Sequence, residues 1–215
     1  MKRALVIGCA TGVWQEVERA KKLGTYDTVY VIKLAGVDYV DGPFWWVTLH
    51  PDFMVEYIAL RRSFGHPDNY RVLGPLLEET APRYRSVPIE RRMTYKWDVT
   101  KLSGSSGLFA VKAAVEDGHD KIVVAGVPMD GNLGHYRRPQ KGNWTTAKNF
   151  RPAWEKVIPT LLGRVKSLSG STSDKLGRPT QEWFDGHTGT THSGPSGADS
   201  EVTNGASLSG VRGPV

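Results

Sequence analysis

The stretch SGSSGLFAVKAAVEDGHDKIVVAGVPMD, Ser103 to Asp130, decides the fold, because it reads as loop, helix, tight link and buried strand in immediate succession. Leu108, Val111 or Lys112, and Val115 recur at helical spacing from about Ser106 to Glu116, and Gly118 suits a left-handed helix stop. The period then changes. Lys121 to Ala125, KIVVA, is the short β-branched run of a strand covered on both faces of a parallel sheet, and Gly126-Val127-Pro128 ends it.

Ahead of the helix, Ser103, Gly104, Ser105, Ser106 and Gly107 form a small-residue loop. Its N–H groups can approach a phosphate closely, and Ser105 or Ser106 can cap the helix. The same small residues would equally let the helix pack tightly on the sheet with no ligand, and the loop lacks the lysine that makes a P-loop specific. Ligands of open parallel sheets sit beyond the carboxyl ends of the strands. That brings Met129, Asp130 and the following GNLGHYRRP to the candidate site.

Toward the N-terminus, Arg3 to Ile7 reads as a buried strand, Gly8 to Gly12 as a tight turn, and Val13 to Leu23 as a helix closed by Gly24. The turn is Gly-x-x-x-Gly and not the dinucleotide fingerprint, so Gly8, Thr11 and Gly12 are candidate phosphate contacts beside an equal alternative, a turn with no ligand. Asp27 to Ile32 and Phe44 to Leu49 supply two more strands. The second ends in His50-Pro51-Asp52, where His50 would face the crevice and Pro51 suits the first turn of a helix from Phe53 to Arg62. Residues 63–102 mix prolines, charges and aromatics without a sustained period and read as an irregular insertion, in which Arg83 to Ile89 and Met93 to Trp97 fit a paired ribbon or one added sheet strand. Its Tyr84, Tyr95 and Trp97 fit either a base-stacking platform or local core.

Toward the C-terminus, Asn132 to Asn149 is polar and glycine-punctuated, carries His135, Tyr136, Arg137, Arg138 and Lys141, and is too long for a connector. A helix from Thr145 or Thr146 to Leu162 follows, then a strand from Arg164 to Leu168 and a docked segment within 171–186 anchored by Trp183 and Phe184. From His187 to Val215 large apolar residues almost vanish, the composition of a flexible or partner-ordered tail. The expectation is α/β: a single Rossmann-like, doubly wound, mostly parallel sheet over residues 1–170 with that tail appended.

At 215 residues the chain is long enough for one sizeable core. Net charge is +6, and residues 171–215 hold three basic and five acidic side chains, so the body carries +8. That favours anionic ligands. The arginine pairs are spread along the chain and not massed on one helix, which disfavours a dedicated nucleic-acid reader. The lone Cys9 excludes an intramolecular disulfide and a cysteine metal cluster, and fits a reducing compartment. The apolar run in MKRALVIGCA is too short for a signal-peptide core, no stretch spans a membrane, and no cofactor is readable.

In overall order residues 1–170 resemble the single-domain bacterial sialyltransferases and the related pterin-pyrophosphokinase-like group. The resemblance lies in the opening strand with Gly8–Gly12, the strand ending in His50-Pro51, the Ser106-Gly107 helix leading to Lys121–Gly126, and a later loop with a histidine. It implies a Rossmann-like sheet that binds a nucleotide or nucleotide sugar, with His135 near the family's general base. Where those enzymes carry asparagines after two strands and before the proline, this chain has Cys9-Ala10, Lys33-Leu34 and His50. Over a longer span, including VPMDGNLGHYRRP and RVKSLSGSTSDKLGRPTQEWF, the chain is similar to small proteins of tailed bacteriophages and prophages labelled morphogenetic. That implies the infected bacterial cytoplasm or the virion as its location.

Three functions fit these residues. In a phage-encoded transferase, His135 would be the general base, the Ser105–Gly107 amides and the Gly8–Gly12 turn would hold phosphates, and Arg137 or Arg138 would neutralise charge. In a virion assembly protein the tail would tether phage structural partners. In an effector the same cradle would hold a host nucleotide messenger. No second acid is visible beside His135, so the residues leave catalysis open.

Overall fold

A computed structural model describes residues 1–79, 88–102, 104–131, 133–137 and 146–186. Seven strands form one entirely parallel sheet in the order β5-β4-β3-β2-β1-β6-β7: β1 Arg3–Ile7, β2 Thr28–Ile32, β3 Phe44–Val47, β4 Tyr70–Pro75, β5 Arg91–Met93, β6 Lys121–Ala125 and β7 Val165–Ser167. The expected α/β doubly wound architecture is therefore present. The strand order reverses between β1 and β6, which pair in register from Arg3↔Lys121 to Ile7↔Ala125.

Period-two alternation in the central strands separates two apolar layers. Ala4, Val6, Ile122 and Val124 face one side, and Leu5, Ile7, Val123 and Ala125 the other. On the first side lie α4 (Ser106–Glu116) and α5 (Ala147–Leu161); on the second lie α1 (Val13–Leu23), α2 (Ala35–Asp38) and α3 (Met54–Ser63). α5 buries Ala153, Trp154, Val157, Ile158 and Leu161, an i, i+3/i+4 stripe that survives Pro152 and Pro159 within the helix. The closing pair α6 (Gly170–Leu176) and α7 (Gln181–Asp185) ends on Phe184, which is fully buried and lies under the Arg3 guanidinium at 4.5 Å. Burying that ring contributes roughly 2–3 kcal/mol to docking α7.

The segment 63–102, read as an irregular insertion with at most one added sheet strand, carries two. It supplies β4 and β5, the whole outer wing of the sheet. In β4, YRVLGP, a proline and a glycine follow the apolar pair Val72-Leu73, and β5 is three residues with two arginines, so neither shows the apolar run of a central strand. Tyr95 and Trp97 pack against the core beside Met93. Tyr84, Ser103, Arg138, Lys141 and the tail 187–215 lie outside the described residues. Among the described residues no helix is long and apolar enough to cross a membrane.

Candidate functional site

Helices of a parallel sheet run back against the strands, so the N-termini of α1, α4 and α5 converge on the strands' carboxyl ends. There the turn after β1 is already sewn to its neighbours. Gly8 N–H donates to Ala125 O at 2.8 Å and Ala10 N–H to Gly126 O at 3.1 Å. Glu16 in the first turn of α1 is buried and accepts the Gly126 N–H at 2.8 Å. Gly12, at φ +84°, is the N-cap of α1. The donors a phosphate would use at this turn are thus partly taken by the chain itself, and of its three candidate residues only Thr11 is exposed.

Across the same turn runs a strap. Ala10 pairs antiparallel with His135, Thr11 N–H donates to Gly134 O at 2.9 Å and Tyr136 N–H to Cys9 O at 3.0 Å. Asp38, from the end of α2, clamps the strap: it accepts Arg137 Nε–H at 2.7 Å, pairs with Arg137 Nη2 and accepts the Tyr136 hydroxyl, which also reaches Leu34 O at 2.9 Å. Arg137, read as a neutraliser of ligand charge, is therefore committed to Asp38. That hydrogen-bonded pair raises the guanidinium's pKa, while burial and then the bond to Asp38 raise that of the Tyr136 phenol. His135 stacks on Tyr136 at 5.1 Å, and its Nδ1 accepts the Arg137 N–H at 3.2 Å. An Nδ1 that accepts this bond puts the proton of a neutral ring on Nε2.

Asp38→Asn should loosen this strap without unfolding the sheet. The expected result is faster amide hydrogen exchange at Thr11 and Tyr136 with unchanged protection in β1 and β6. Equal protection of both amides in the variant would show that the strap holds without its clamp.

At the start of α4 the predicted cap is present: Ser105 Oγ accepts Leu108 N–H at 3.4 Å. It also accepts Trp154 Nε1–H at 3.3 Å, while Ser106 Oγ accepts Leu49 N–H at 3.4 Å, and both serines are buried. A Cβ on Gly107 would stand 2.5 Å from Val127 Cγ1, and one on Gly104 would stand 2.4 Å from Leu108 Cδ2. Gly107 thus serves close packing of α4 against the end of β6, and Gly104 the close approach of the loop to Leu108 of α4 itself. Ser106 nonetheless joins α4 to the loop after β3, where His50 is exposed and its backbone N–H donates to Thr48 Oγ1 at 2.9 Å. Asp130 follows Met129, a buried residue at φ +50° whose carbonyl accepts Arg151 Nη2–H at 3.0 Å.

The residue missed from sequence is Lys33, the first after β2. Its backbone sits at φ +46°, and among the described residues only Met129 shares a positive φ without being glycine. Three bonds hold it there: Lys33 N–H donates to Val47 O at 3.2 Å, and Lys33 O accepts Gly36 N–H at 3.1 Å and Trp46 Nε1–H at 2.6 Å. Its half-buried side chain lies within electrostatic reach of Cys9, His50 and Asp52. Among the described residues its ammonium makes no hydrogen bond or ion pair, and Asp52 Oδ1 is buried without a hydrogen-bond partner.

No family model, curated protein or solved structure matches the chain. The chemistry of the site rests on its own residues. Burial lowers the Lys33 pKa, and desolvation followed by the Lys33 charge lowers that of His50. Burial pushes the Cys9 thiol up to about 11, and its S–H donates to Ile32 O at 3.1 Å. Among the described residues no group of three or more His, Cys, Asp or Glu is placed to hold a metal. Among the described residues, the carboxyl ends of β2 and β3 thus bring a lysine without a hydrogen-bond or ion-pair partner within electrostatic reach of a histidine.

Proposed function

We propose that the strand-end crevice binds a phosphate-containing ligand, a nucleotide or nucleotide sugar, with Lys33 as its charged contact. The observation that carries this reading is Lys33 itself, a strained, half-buried lysine with no partner among the described residues, at the carboxyl end of β2. A left-handed non-glycine residue costs about 1–3 kcal/mol and persists where the surroundings over-determine it, which is typical of ligand sites. The second such residue, Met129, lies beyond β6, so the two strained positions flank β1. The α4 N-terminus adds a partial positive charge on the side of β3. The resemblance of residues 1–170 to the sialyltransferase and pterin-pyrophosphokinase-like group supports this ligand class and a transferase-like ancestry.

Thermal-shift titration with inorganic pyrophosphate, nucleotides and nucleotide sugars tests the reading. A ligand at a hundred times its dissociation constant adds about 2.7 kcal/mol to stability, a readable rise in Tm. The rise is expected for the wild type and lost in Lys33→Met and in His50→Asp, which places a like charge at the exposed rim. A flat response of the wild type to every one of these compounds would overturn the proposal.

A further inference from the structure

Resting on that reading, we infer that Lys33 is a nucleophilic amine that condenses with the carbonyl carbon of a phosphorylated aldehyde or ketone in this crevice. The geometry favours the amine over every neighbour. Its backbone is fixed by Val47, Gly36 and Trp46, so the side chain leaves the sheet from a single anchored position. Among the described residues its nitrogen has no hydrogen-bond or ion-pair partner that would have to be broken before attack.

The groups facing it are Cys9 from the end of β1 and His50 and Asp52 from the loop after β3. Burial opposes the ammonium, Cys9 and then Asp52 favour it, and burial prevails. Free base is therefore reached at a lower pH than in an exposed lysine. Cys9, the competing nucleophile, is held as thiol by its burial and donates its proton to a backbone carbonyl. In the step itself the amine lone pair forms the C–N bond and the carbonyl π pair moves to oxygen. Both amine hydrogens then leave with that oxygen as water, giving an imine without oxidant or reductant. His50, within electrostatic reach and less basic than usual, is assigned the first of those protons.

The test treats the full chain with pyridoxal 5′-phosphate, a phosphorylated aldehyde, then borohydride, and maps the modified lysines by peptide mass spectrometry. Lys33 is expected to be modified ahead of the exposed lysines, to reach half-maximal rate at lower pH than they do, and to be protected by pyrophosphate. Lys33→Arg should lose that label completely while the exposed lysines keep theirs. Modification of Lys33 no faster than of exposed lysines overturns the inference, and if pyrophosphate still raises Tm the phosphate reading survives it. Rapid modification by both pyridoxal phosphate and unphosphorylated pyridoxal, with no protection by pyrophosphate, upholds the reactive amine but overturns its pairing with a phosphate site.

Discussion

Gly8→Ala is expected to cost about 3 kcal/mol or more, enough to consume much of the stability of a domain this size. The added Cβ would stand 2.1 Å from Gly126 O, 2.6 Å from Val127 Cγ2 and 2.7 Å from Gly126 C. Two of those atoms are backbone, and the peptide that carries them is fixed from both sides. Gly126 N–H is held by Glu16 and Gly126 O by Ala10 N–H, while Gly126 itself is at φ +66° with Val13 Cγ2 2.4 Å from where a Cβ would be. Relief would therefore require β1 and β6 to part at the point where the strand order reverses. Urea unfolding should show a large fall in midpoint, or no soluble protein, whereas Thr11→Ala in the same turn should change stability by less than about 0.5 kcal/mol. A loss below about 1 kcal/mol for Gly8→Ala would mean that the two turns yield more easily than their hydrogen bonds imply.

The second large effect lies at Arg61. Its side chain is fully buried and serves as a staple: Nη1 donates to Gly36 O at 2.8 Å and Tyr39 O at 2.6 Å, Nε to Pro67 O at 2.9 Å, and Nη2 to Asn69 Oδ1 at 2.9 Å. The guanidinium also lies 5.2 Å from the Phe44 ring centroid. It thereby ties the α2–β3 connection to the entrance of β4. Arg61→Leu removes every donor at once, leaves buried carbonyls without partners and is expected to cost about 3–5 kcal/mol. Arg61→Lys should fall between, because three donors on one nitrogen cannot reproduce the planar fork. The comparison is made by urea midpoints. If Arg61→Leu matches the wild type, the burial of this charge is no more favourable than an apolar side chain in its place.

Gly36, one of the residues held by Arg61, packs so closely on Trp46 that a Cβ there would be 2.3 Å from the indole. The same indole donates to Lys33 O. Stability in this wing and the conformation of the crevice lysine are therefore linked through a few contacts. Milder substitutions at Arg61 or Trp46 should shift the backbone of Lys33.

How much of this was legible varies with the kind of signal. β1, α1, α4 and β6 follow from apolar runs, changes of period and glycine stops, all local. β4 and β5 were hidden because an outer wing is short, carries charge and has weak periodicity, and only pairing with β3 gives it a place in the sheet. At the site, the Ser105 cap could be read from its own helix. That its hydroxyl also takes the Trp154 indole, and Ser106 the Leu49 amide, depends on residues 49 and 57 positions away.

Lys33 shows the division most sharply. Local signals in the chain were enough for a polar residue after an apolar strand and for the α/β class, because periodicity and turn chemistry act over a few residues. Only the tertiary structure decided that Lys33 takes a left-handed backbone and has no partner among the described residues, while Arg137 is spent on Asp38. Burial, backbone strain and pairing of charge are set by segments far apart in the chain. No local pattern encodes them.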